Sequence, residues 1–80
     1  MIDPKEHLLA ALDAYVAATG VADKTISYRV FNDSKKIGAL RAGASITSGR
    51  LVEALQWLSD HWPDGITWPA DVPRPERAAA

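Results

Sequence analysis

The sequence predicts an all-α fold, a compact bundle of four to five helices with a proline-rich, extended C-terminal arm. Three observations predict it. Apolar residues recur at intervals of three and four along successive segments, the spacing of one helix face. Capping residues and glycines punctuate those segments at their ends. No stretch reads convincingly as a strand. Eighty residues make one domain at most, and chains of this size bury only about 60% of their unfolded surface, so the core must be small. The expected division is a domain over 1–72 and a flexible tail over 73–80.

The first helix is expected over residues 4–19. Asp3 can cap it, Pro4 suits its first position, and Glu6 stands three residues after the cap. Leu8, Leu12, Tyr15, Val16 and Thr19 follow at helical spacing, and Gly20 supplies a stop. The second helix lies within VADKTISYRVF, with Asp23 as a cap or first-turn residue. Ile26, Val30 and Phe31 form its inward face, while Lys24, Tyr28 and Arg29 point away. Asn32-Asp33 signals a turn. A third helix, from about Ser34 to Ala42, buries only Ile37 and Leu40, and Gly43 closes it. In the fourth, Thr47 or Ser48 caps a face of Leu51, Leu55, Leu58 and Trp62, and Pro63 ends it. Asp64-Gly65 then turns the chain. The remaining ITWPADVPRPERAAA has too many prolines for a helix. It reads as an arm whose Ile66 and Trp68 pack back, followed by a frayed RAAA end.

Hydrophobic residues make up 48% of the chain and charged residues 24%, which is globular composition rather than disorder. Cysteine is absent, which excludes disulfides, thiolate zinc sites and thiol nucleophiles. The opening MIDPKEHLL carries carboxylates where a signal peptide is cationic. No apolar run approaches the ~20 residues that cross a bilayer. A cytoplasmic setting is expected, without membrane contact. The net charge of −1 conceals a division: residues 1–22 carry −2, residues 23–50 carry +4 and residues 51–80 carry −3. A basic middle between acidic flanks points to a polyanion at one face.

Two short helices joined by a tight turn, the second basic and barely amphipathic, occupy ADKTISYRVFNDSKKIGALRAG, residues 22–43. This segment resembles the helix-turn-helix of the lambda-repressor and Cro type, found in small phage and bacterial regulators. In that family the first motif helix carries a large aliphatic residue followed by a small one, matched here by Ile26 and Ser27. The turn follows four residues later, at Phe31-Asn32. The second helix has aliphatic residues at Ile37 and Leu40 and ends at Gly43, and a connection leads to a further amphipathic helix from Thr47. The likeness is good over about 22 residues and loose over about 60. The chain departs from the pattern with Ser27 in place of alanine and Phe31 in place of glycine. Phe31 adopts positive φ only at a cost, so the turn register can move by one, with Asn32 in that role.

The resemblance implies a sequence-specific, repressor-like transcriptional regulator of phage or mobile-element type that binds double-stranded DNA. A recognition helix at about 34–42 would enter the major groove. Ser34, Lys35 and Lys36 would contact bases, lysine donating to guanine O6 and N7, and Asp33 would cap. Lys24, Thr25, Arg29, Arg41, Ser45, Thr47, Ser48 and Arg50 would contact the DNA backbone. A homodimer is expected, because a monomer this small reads one half-site, and with it association with the nucleoid. The alternative is a helix-turn-helix reused as a protein-interaction module, an anti-activator or adaptor, whose partner meets the acidic C-terminal third. A toxin–antitoxin antidote, with the arm wrapping a toxin, is a third possibility.

Trp57 falls off the fourth helix's apolar face and is a candidate interface anchor together with Trp68, unless the Trp68 arm folds over it. His61 neighbours Asp60 and Asp64, but it sits in a last helical turn, where a cation suits the dipole. With His7 far away in sequence and cysteine absent, neither a metal nor another cofactor is expected. Serines 27, 34, 45, 48 and 59 have no recognisable base partner, and no glycine-rich phosphate loop follows a strand, so catalysis is not expected.

Overall fold

The computed structural model describes residues 4–76. Four helices follow one another: α1 (Pro4–Thr19), α2 (Asp23–Phe31), α3 (Lys36–Arg41) and α4 (Ser48–Asp60). The described residues contain no strand. The capping role expected of Asp3 and the frayed end at 77–80 lie outside the described residues.

α1 begins at Pro4 and ends before Gly20, which takes φ +71° while its amide donates back to the Val16 carbonyl at 2.8 Å. Its inward stripe is Leu8, Ala11, Leu12 and Tyr15. This stripe packs on α4, which contributes Ala54 and Leu58, with Trp62 just beyond the helix end. α2 packs on both α3 and α4 and buries Ile26, Ser27 and Phe31. α3 adds Ile37 and Leu40, so every helix feeds one core.

α3 is shorter than the expected 34–42. The Asp33 carboxylate accepts from the Lys35 amide at 2.9 Å, and the Lys36 amide reaches the Asp33 carbonyl at 3.3 Å. This turn holds Ser34 and Lys35 outside the helix, which starts at Lys36. At its other end Gly43 has φ +112°, with its amide donating to the Leu40 carbonyl and the Ala44 amide to the Ala39 carbonyl. That pair of bonds is a Schellman closure, a geometry that favours glycine. Thr47, not Ser48, caps α4, its hydroxyl accepting from the Arg50 amide at 3.3 Å.

Trp57 corrects the reading of α4. It is half-buried against the core, edge-on to Tyr15 with ring centroids 5.9 Å apart and stacked on His61 at 4.1 Å. The apolar face is wider than the leucine spacing suggests because the Tyr15 ring contacts both Trp57 and Trp62. The segment after α4 is non-helical and folds back. Trp68 packs on Trp62 at 4.6 Å and donates from its indole to the Val72 carbonyl. Val72 is buried, whereas Ile66, expected to pack, is 39% exposed. The chain stays attached past the expected boundary at 72. The Ser59 hydroxyl donates to the Pro75 carbonyl, Gln56 donates to the Glu76 carbonyl, and Arg74 donates to the Ser59 hydroxyl and carbonyl. Residues 73–76 are therefore clasped to α4 by hydrogen bonds, not left as a loose tail.

Candidate nucleic-acid interface

The candidate surface is the corner where α2 turns into α3. Asn32 ends α2 in the left-handed region at φ 56°, ψ 29°, and its amide closes the helix on the Tyr28 carbonyl. Asparagine tolerates this conformation where phenylalanine would be strained, so the turn falls one residue after Phe31, whose ring stays in the core. Ser27 has a task that alanine could not perform. Its buried hydroxyl donates to the Asp33 carbonyl and accepts from the Ile37 amide at 3.0 Å. One side chain on α2 thus fixes both the turn and the first turn of α3.

Of the expected base-contacting residues, Lys35 is exposed, and Ser34 and Lys36 are half-buried. Lys36 and Arg50 line one small concavity of about 160 Å³ with Phe31 and Asp33, so the start of α3 and the start of α4 meet there. Lys24, Thr25, Arg29 and Ser34 line a second, shallower groove of about 300 Å³ together with Tyr28. Ser45, Thr47 and Ser48 are exposed around the α3–α4 connection, outside both concavities.

Arg41 is placed differently from expectation. Its guanidinium holds Asp23 through two hydrogen bonds of 2.8 and 3.2 Å and Asp13 at 2.7 Å. The hydrogen-bonded Asp23 carboxylate, chiefly, pushes the Arg41 pKa above its ordinary value; partial burial opposes this, and Asp13 adds to it. A planar guanidinium suits such forked pairing. The fork ties α1, α2 and α3 together, and in it the Arg41 charge is matched by two carboxylates.

Lys24, Arg29, Lys35, Lys36 and Arg50 have no ion pair among the described residues. Among the described residues Asp33 is the one carboxylate lining either concavity, and it is engaged with the Lys35 amide. The corner is therefore a cationic surface on which Asp13, Asp23 and Asp33 are already engaged. No family model matches the chain, and no curated protein or solved structure matches it either.

The interface candidates Trp57 and Trp68 do not stand free. Both are half-buried, Trp57 beneath His61 and Trp68 beneath Arg74, whose guanidinium carbon lies 5.2 Å from the ring centroid. Trp68 covers Trp62 rather than Trp57. No described helix is long and apolar enough to cross a membrane. Tyr28 is the residue that sequence reasoning passed over. It was placed on the outward face of α2 and given no role, yet it is 61% exposed and lines the larger groove. The available signal was its position one turn after Lys24 and Thr25.

Proposed function

We propose that this protein binds double-stranded DNA through the α2–α3 corner, as a small regulator with a helix-turn-helix inside a four-helix bundle. The observation that carries this reading is the set of five cations, Lys24, Arg29, Lys35, Lys36 and Arg50, without carboxylate partners among the described residues, while Arg41 draws Asp13 and Asp23 to itself. In a chain of net charge −1, such local segregation favours a polyanion at that face. Lys35 and Lys36, at the start of α3, are the base readers with Ser34, and Lys24, Thr25, Arg29 and Arg50 hold phosphates. The exposed hydroxyls of Ser45, Thr47 and Ser48 extend the backbone contacts beyond α3. Two copies on a two-fold site, excluding or recruiting polymerase at an operator in the nucleoid, complete the proposal.

The test is fluorescence anisotropy with a labelled mixed-sequence duplex across a salt series, followed by selection of preferred sequences from a random pool. With Lys24, Arg29 and Arg50 on phosphates, the log–log salt slope approaches about −2.7 for each bound copy. Replacing Lys35 and Lys36 together by alanine abolishes sequence preference while circular dichroism keeps its helical signal. Undiminished preference in that double variant sinks the assignment of the readers. Duplex affinity that is negligible, or indifferent to salt, sinks the DNA reading and leaves the corner to a protein partner.

A further inference from the structure

The groove beside Tyr28 differs in kind from the rest of the corner. Its five lining residues are Lys24, Thr25, Tyr28, Arg29 and Ser34, drawn from the outer face of α2 and the turn before α3. Its exposed wall is largely apolar, and Tyr28, at 61% exposure, is the large side chain that makes it so. The phenol ring takes no part in the core, which α2 reaches through Ile26, Ser27 and Phe31. Lys24 precedes Tyr28 by one helical turn and Arg29 follows it directly, neither with an ion pair among the described residues. Among the described residues no carboxylate lines the groove.

An apolar patch between two cations and two hydroxyls fits an occupant whose own surface alternates in the same way. A nucleic-acid strand does so, with the hydrocarbon face of each deoxyribose between two phosphates. We propose that this groove seats one stretch of sugar–phosphate backbone, with the Tyr28 ring against a deoxyribose and Lys24 and Arg29 against the flanking phosphates. Thr25 supplies a hydroxyl donor to the same phosphates, and Ser34 closes the end of the groove that faces the base readers. A purely acidic chain such as poly-glutamate would satisfy the cations but offers the ring no apolar face, whereas a nucleic-acid backbone supplies both. This proposal rests on the DNA reading above, and it makes Tyr28 a positioning residue whose contribution is not electrostatic.

The salt series separates the two proposals. With a mixed-sequence duplex, Tyr28→Ala weakens binding by about five- to tenfold, the size expected for one partly covered ring. The salt slope stays unchanged, because no charge is lost. Lys24→Ala and Arg29→Ala each reduce the slope by about 0.9. Tyr28→Phe, which keeps the ring, binds within about twofold of the parent. Tyr28 is exposed, so its variants are expected to fold, which circular dichroism checks. Wild-type affinity in Tyr28→Ala overturns the seat while duplex binding by the parent protein still stands. An unpaired oligonucleotide preferred over the duplex, with that preference lost in Tyr28→Ala, also overturns it, since the ring would then be stacking on bases. A parent protein that ignores the duplex but binds poly-glutamate overturns both proposals.

Discussion

Ser27 shows how one atom can set a local geometry. Its hydroxyl is fully buried and bridges the Asp33 carbonyl to the Ile37 amide. Ser27→Ala should therefore cost about 1–2 kcal/mol, because a buried amide loses its partner; urea denaturation followed by circular dichroism measures this directly. Asn32 carries the opposite kind of constraint, a backbone one. Asn32→Gly should be close to neutral, while Asn32→Val should cost about 1–2 kcal/mol at φ 56°. Equal stability of these two variants would show that the left-handed turn is not a requirement of the fold.

At the scale of elements, α3 is six residues long and cannot persist on its own, since short helices are marginal in water. Ile37 and Leu40 hold it, both almost completely buried. Ile37→Asp or Leu40→Asp should unfold the domain by placing a charge in a small core; a retained cooperative melt would contradict this. The Arg41 fork acts between elements. Arg41→Ala should cost about 1 kcal/mol, less in high salt, because the pairs are largely solvent-exposed. A raised arginine pKa adds stability that persists below the ordinary value and disappears only as pH climbs past the folded one. The guanidinium therefore keeps its charge through neutral and alkaline pH up to its raised value.

Much of this level could be read from the sequence. Pro4 and Gly20 bracket α1, Thr47 caps α4, and Ile37, Leu40 and Gly43 define α3 because propensity and packing agree at those positions. Two features escaped. Ser34 and Lys35 look helical in sequence, but a local carboxylate–amide bond from Asp33 competes successfully for that backbone. Trp57 looks external by spacing alone, and only the arrival of Tyr15 from α1 turns its flank into interior. The cationic corner was visible as composition. Its separation from Arg41 was not, because the pairing runs from Arg41 to Asp23, 18 residues away, and to Asp13, still further back in the chain.

The whole molecule divides its labour by region. α1, α4 and the returning C-terminal segment gather the aromatic mass, and the corner of α2 and α3 keeps the unpaired positive charge. Removing residues 73–80 should lower the melting temperature by several degrees. The buried Ser59 and its neighbours lose the Arg74 and Pro75 contacts, a change of about 1 kcal/mol in a chain this small. Differential scanning calorimetry of the shortened chain checks this, and an unchanged melt would mean the clasp is incidental.

The placement of the three indoles has a practical outcome. Trp57, Trp62 and Trp68 all belong to the clasped end, and none lines either concavity at the corner. Their intrinsic emission is thus a built-in gauge of whether the last segment is seated on α4, and a ligand docking at the corner leaves that light unaltered. A titration in which the emission does shift would reveal that occupancy at one end is communicated to the other.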